Sequence, residues 1–183
     1  MTTGLLLVDI QNDYFPGGKM ELAQPEQAAR NAASLLNAFR EKGRPVFHVR
    51  HSSVGAGATF FLPGTAGAEI HTSVQPIGGE EVIEKNFPNS FRETALEGII
   101  RQAGVTDLVI CGAMSHMCID ATTRAAADLG FACTAVQDAC ATRDLEFAGR
   151  KIAAAQVHGA SMAALGGAYA RVVSTADFMA DFV

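Results

Sequence analysis

No C-x-x-C pair and no zinc-finger spacing occurs among the four cysteines, Cys111, Cys118, Cys133 and Cys140. Their spacing therefore points to neither a thiolate metal centre nor a dithiol redox motif. A reduced, cytoplasmic protein is the simplest expectation. Basic runs are also missing. Lys and Arg number 14 against 19 Asp and Glu, a net charge of −5. That balance works against a nucleic-acid-binding face. Apolar runs such as GLLLV at 4–8 are too short to cross a bilayer, so no membrane partner is expected. The N-terminus shows no basic stretch followed by a separate apolar one, and no signal peptide is expected from it.

What the chain does have is apolar content. Hydrophobic residues make up 49% and charged residues 18%, the composition of a folded protein. A length of 183 residues suits a single domain, 1–183, with a sizeable core. Short runs rich in Val, Ile and Leu recur at 4–9, 45–50, 81–85, 107–112, 132–137 and 171–174. Parallel strands buried on both faces look like this. Longer segments between them read as helices at 25–42, 91–103, 116–129 and 145–164. Pro25 suits the first turn of the first helix and Gly43 its end. Ser90 and Glu93 form an S-x-x-E capping box for the second. Ser115 reads as the N-cap of the third and Gly130 as its stop. Residues 52–80 are rich in Gly and small side chains and read as a long functional loop. Alternating strands and helices predict a three-layer α/β fold with a mainly parallel sheet.

Ligands of such sheets bind in the crevice beyond the carboxyl ends of the strands, where strand order switches. Asp9 ends the first strand, His51 follows the second, Lys85 ends the third, and the loop after the fourth delivers Cys118. An acid, a base and a thiol thus meet at one rim. Taken singly, each has a plain alternative. Asp9 fits a solvated strand end or a turn cap, Lys85 a surface lysine, Cys118 a small buried hydrophobe. Together they fit a nucleophile with a carboxylate to take its proton and an ammonium to favour the thiolate. With Ser115 as N-cap, Cys118 falls in the first helical turn, where the helix dipole also favours thiolate. Free N–H groups of that turn can hold an oxyanion. His116 fits either a helix surface or a substrate contact, and Phe60, Phe61 and Phe87 either a pocket lining or core. His48, His71 and His158 show no partner in the sequence. Cys111, Cys133 and Cys140 read as packing residues.

Three segments resemble one known family. LLLVDIQNDYF at 5–15 carries a D-x-Q-x-x-[FY] strand end, IEKNFPNSF at 83–91 a lysine segment, and VICGAMSHMCIDATTRAAADLGF at 109–131 a cysteine segment. In this order they resemble the isochorismatase-like cysteine hydrolases, which include nicotinamidases and N-carbamoylsarcosine and ureidoacrylate amidohydrolases. The resemblance implies a six-stranded Rossmann-like sheet in the order 3-2-1-4-5-6 with helices on both faces. It also implies an Asp9–Lys85–Cys118 triad and a cis peptide at Ala113–Met114. An oxyanion hole from the N–H groups of Met114 and Cys118 would follow. The pocket would be shaped by Phe60–Thr65 with Phe15, His51, Phe87 and His116.

Two departures narrow the activity. The D-x-H metal motif of nicotinamidases is replaced by VRHSSVG, so no metal and no other cofactor is expected. Isochorismate-cleaving members lack the nucleophilic cysteine, which Cys118 supplies. The expected activity is a cysteine-dependent hydrolase cleaving the C–N bond of a small amide, carbamoyl or ureido compound through a covalent acyl-enzyme. An isochorismatase- or nicotinamidase-type hydrolase and a non-catalytic small-molecule-binding member stay as alternatives. The resemblance further implies a homodimer or homotetramer.

Overall fold

In the computed structural model, which describes residues 2–182, the central strand β1 (Thr2–Val8) carries four fully buried residues in succession, Leu5 to Val8. Side chains of a strand alternate between faces, so such a run buries both and must lie mid-sheet. It pairs in parallel with β2 (Val46–His51) on one side and β4 (Val105–Ala113) on the other. β3 (Glu81–Lys85), β5 (Ala132–Ala141) and β8 (Arg171–Val173) complete a six-stranded sheet in the order β3-β2-β1-β4-β5-β8. Its sixth strand in chain order is the segment expected at 171–174, so the predicted order holds. The switch falls between β1 and β4.

Helix α1 (Pro25–Glu41) starts on Pro25 and stops before Gly43, which adopts φ 58°. It buries Ala28, Ala32, Leu35, Leu36 and Phe39 on the sheet. α5 (Thr175–Asp181) packs beside it, with Phe178 and Phe182 stacked on Phe39. α2 (Leu96–Gln102), α3 (Asp120–Asp128) and α4 (Ala154–Ala168) supply the other helices. No helix among the described residues is long and apolar enough to cross a membrane.

Three local expectations fail. The second helix begins at Leu96, not 91, and Ser90 and Glu93 form no capping box. Ser90 Oγ instead sits 2.8 Å from Thr122 Oγ1, both buried, and Glu93 takes the left-handed φ of 57°. Residues 145–152 are not helical but form a hairpin of β6 (Leu145–Phe147) and β7 (Arg150–Ile152). Its two central residues, Ala148 and Gly149, both have positive φ, as a type I′ turn requires. Ala-Gly does not advertise such a turn as Asn-Gly does. Finally, Ser115 caps nothing: a π-helical turn, Ser115–Ile119, precedes α3, and the N-cap position is Met114. The Ser115 hydroxyl is drawn off to the Ala141 carbonyl (3.2 Å) and to His158 Nδ1 (2.8 Å), a partner the sequence did not disclose.

Candidate active site

Four strand ends build the site. Beyond β1, Asp9 turns sharply with φ 53°, a conformation non-glycine residues hold only when their surroundings enforce it. Its N–H is tied to the Val49 carbonyl at 2.9 Å, and its own carbonyl accepts from Gln11 N–H. Beside it, β4 comes close because Gly112 sits at φ 128°, where a Cβ would run into the Val8 carbonyl. Past Gly112 the Ala113–Met114 peptide is cis. The chain then enters the π-helical turn, with the N–H groups of Met117 and Ile119 both donating to the Met114 carbonyl. This turn carries Cys118.

Lys85, at the end of β3, stands at the centre. Its Nζ lies 2.7 Å from Asp9 Oδ2, 3.0 Å from the Phe87 carbonyl, 3.1 Å from His51 Nδ1 and 3.3 Å from Cys118 Sγ. Three protons face four acceptors. Exposure separates their roles: Asp9 is 0% and Lys85 1% exposed, whereas Cys118 is 6% exposed. Of the three, Cys118 is the most open to an incoming ligand. The carboxylate oxygens of Asp9 are buried and lack a partner of good hydrogen-bond geometry, so the close ion pair with Lys85 is their main compensation.

Electrostatics follow from burial. Burial pushes Lys85 down, but its ion pair with Asp9, with Cys118 Sγ beside it, outweighs that and holds the ammonium above lysine's usual range. His51 is lowered by burial and then by Lys85. It is therefore neutral, and because an ammonium only donates, Nδ1 is its acceptor. Cys118 runs against the expectation of a resting thiolate. Burial, then Asp9, push its thiol up, and Lys85 only partly offsets them. Ser115 caps no helix, and Cys118 is buried in a π-helical turn rather than exposed in the first turn of an α-helix, so the helix dipole has little hold on the thiol. Burial and the neighbouring carboxylate thus favour the protonated thiol.

The D-x-Q-N-D stretch also organises the loop expected at 52–80. Gln11 is fully buried. Its amide donates to the His51 and Ala68 carbonyls and accepts from His51 N–H at 2.7 Å. Asn12 donates to the Ala66 carbonyl. Asp13 accepts from Phe61 N–H at 2.6 Å, and Gly67 leaves room for its carboxylate. Asp9 therefore sits in a segment that also pins the loop across the site.

Other expected pocket residues divide. His51 is in the cluster. Phe87 contributes its carbonyl, while its ring faces the Arg92 guanidinium at 3.7 Å. Phe60 packs with Phe61 and Tyr14. Phe15 instead stacks on His71, centroids 3.6 Å apart. His116 Nδ1 lies 2.7 Å from Thr142 Oγ1. His71 Nδ1 also lies 2.9 Å from Ser73 Oγ.

Two residues were missed. Tyr14, the aromatic of the D-x-Q-x-x-[FY] pattern, is 3% exposed. Burial pushes its hydroxyl well up, with Cys118 and Asp9 adding to the effect. Arg143, just past β5, opposes that rise and also lowers His116, after burial. Arg143 Nε is buried without a hydrogen-bond partner among the described residues. No motif marks Arg143; only the strand-end rule applied to β5 would have found it.

These segments fit what comparison with known proteins finds. The isochorismatase domain matches residues 3–177. The isochorismatase family protein YddQ of Bacillus subtilis strain 168 is 55% identical, over 98% of this chain and 99% of its own. A streptothricin hydrolase of Streptomyces noursei is 38% identical over 77% of this chain and 50% of its own length. The crystal structure of an isochorismatase from Pseudomonas putida KT2440 superposes with a TM-score of 0.89 at 40% identity, covering 96% of this chain and 89% of that one. The chain is a member of the isochorismatase family of hydrolases.

Proposed function

We propose that this protein is a cysteine-dependent hydrolase of C–N bonds in small amide, carbamoyl or ureido compounds. The observation that carries the reading is Lys85 Nζ, placed between the Asp9 carboxylate and Cys118 Sγ. Asp9 accepts the Cys118 proton as sulfur attacks the carbonyl carbon. The ammonium keeps the site neutral while negative charge moves toward substrate. The N–H groups of Met114 and Cys118 hold the oxyanion. Asp9 then passes the proton to the departing nitrogen, the C–N bond breaks, and a thioester is left. Water hydrolyses it with Asp9 again taking a proton, releasing acid and free thiol. A protonated resting thiol suits this sequence, since the proton is lost only when a substrate is there to be attacked.

Arg143 adds to the substrate's description. A guanidinium with a buried, unpartnered Nε at the rim suits an acceptor on the substrate, such as a carboxylate or a second carbonyl. That a relative is named for hydrolysing streptothricin supports hydrolysis as the reaction class.

The test is a panel of small amides, carbamoyl compounds and ureides, scored by ammonia release. Any substrate found should leave a transient adduct on Cys118, visible by mass spectrometry after acid quenching. Cys118→Ala should turn over none of it while melting like the parent. Turnover retained by Cys118→Ala would sink the nucleophile assignment.

A further inference from the structure

Between the end of β3 and the start of α2, residues 86–95 belong to no helix or strand, yet one atom of this stretch enters the site. The Phe87 carbonyl accepts from Lys85 Nζ at 3.0 Å. No strand ladder fixes where that carbonyl stands. What fixes it lies just beyond. Ser90 N–H donates to Thr122 Oγ1 at 3.1 Å, Ser90 Oγ lies 2.8 Å from the same oxygen, and Thr122 Oγ1 donates to the Pro88 carbonyl at 3.4 Å. Both side chains are 0% exposed. With the Thr122 proton given to Pro88, the Ser90 hydroxyl is the donor of its pair, so Thr122 Oγ1 fills both lone pairs and uses its single proton. Asn86 ties the near end of the stretch, donating to the Ser52 carbonyl at 2.7 Å.

Thr122 stands one helical turn beyond Cys118, and the π-helical turn that carries Cys118 runs directly into α3. One helical rod therefore holds the nucleophile at one point and, a turn later, the clasp on the Lys85 segment. The contacts close a ring. Cys118 Sγ lies 3.3 Å from Lys85 Nζ, Lys85 donates to the Phe87 carbonyl, Pro88 and Ser90 are held by Thr122, and the helix returns from Thr122 to Cys118. We infer, resting on the hydrolase reading above, that Thr122 and Ser90 are positioning residues, which hold the Phe87 carbonyl where it keeps the Lys85 ammonium directed at Cys118. That carbonyl occupies one of the three ammonium protons and leaves the others for Asp9 and the sulfur side of the site. Once the clasp is cut, the carbonyl drifts, the ammonium turns on its four-carbon stem, and the sulfur loses the cation that favours its thiolate.

The test is Thr122→Val, which keeps the shape and removes the hydroxyl, beside Thr122→Ser, which keeps the hydroxyl. Iodoacetamide labelling of Cys118 at about pH 9, followed by mass spectrometry of its peptide, should be about tenfold or more slower in Thr122→Val and within about twofold of the parent in Thr122→Ser. In a Lys85→Met background, Thr122→Val should slow labelling no further, whereas a merely structural role would slow it in both backgrounds. Should Lys85→Met not fold, Asp9→Asn/Lys85→Met is the background. With any substrate found, Thr122→Val should lower kcat by about 10- to 100-fold and change KM by less than about threefold. Parent-like labelling or kcat in Thr122→Val, no recovery in Thr122→Ser, or an equal slowing with Lys85 gone overturns the inference. If Thr122→Val does not fold, Ser90→Ala and its rescue variant Ser90→Thr take over under the same criteria. Labelling needs no turnover, so the absence of any substrate sinks the hydrolase reading while the positioning role is still decided.

Discussion

Lys85 Nζ and Asp9 Oδ2 are 2.7 Å apart with both side chains fully buried. Removing one partner leaves a lone charge in the interior, which costs about 3–5 kcal/mol. Asp9→Asn and Lys85→Met should therefore each unfold at clearly lower denaturant than the parent. The double variant Asp9→Asn/Lys85→Met should recover most of that loss, yet show no more activity than either single change. A double variant no more stable than the singles would refute the pairing.

Arg143 should act on binding rather than on the chemical step. Arg143→Ala is expected to raise KM by about 10- to 100-fold, the worth of a charge-assisted hydrogen bond, with a much smaller effect on kcat. Steady-state kinetics with substrates bearing and lacking a carboxylate check this. An equal loss for both kinds of substrate would remove Arg143 from recognition.

Gly112 joins fold to site. At φ 128°, with the Val8 carbonyl where a Cβ would sit, alanine cannot be accommodated without moving β4 off β1. Gly112→Ala should destabilise the chain by several kcal/mol and abolish activity together, whereas Gly43→Ala should cost about 1 kcal/mol and spare activity. Urea unfolding with parallel assays separates the two.

Acid stability should centre on Glu80, far from Cys118 in sequence and outside its cluster. Burial alone would raise its carboxyl. Hydrogen bonds from Arg40, Ile77 N–H and His48 outweigh burial and hold it down at about 2. A carboxyl depressed on folding adds stability above its unfolded pKa of about 4.3, lost as pH falls toward the folded value. His48, lowered mainly by burial, works in the same direction as pH drops below about 6.5. Thermal melts from pH 7 to pH 2 should therefore fall less steeply for Glu80→Gln than for the parent, with the difference, on the order of 1–3 kcal/mol, gained below pH 5. Parallel melting curves would refute it.

The sequence by itself determined the sheet and the rim. Leu5–Val8 and Leu108–Cys111 are apolar without alternation, as strands buried on both faces are, and strand ends then carry Asp9, Lys85 and the segment leading to Cys118, while the strand order came from the family resemblance. These are local signals, fixed by periodicity and by which residue follows the last apolar one. Tertiary structure decided the rest. It moved Ser115 from a cap to a tether for His158, because the Ala141 carbonyl and that ring outcompete the helix end. It left the Cys118 thiol protonated, because burial beside a carboxylate outweighs a helix dipole whose effect depended on exposure. It also set Arg143 within electrostatic reach of Tyr14 and His116 and buried its Nε without a partner among the described residues, an environment that no one-dimensional spacing encodes.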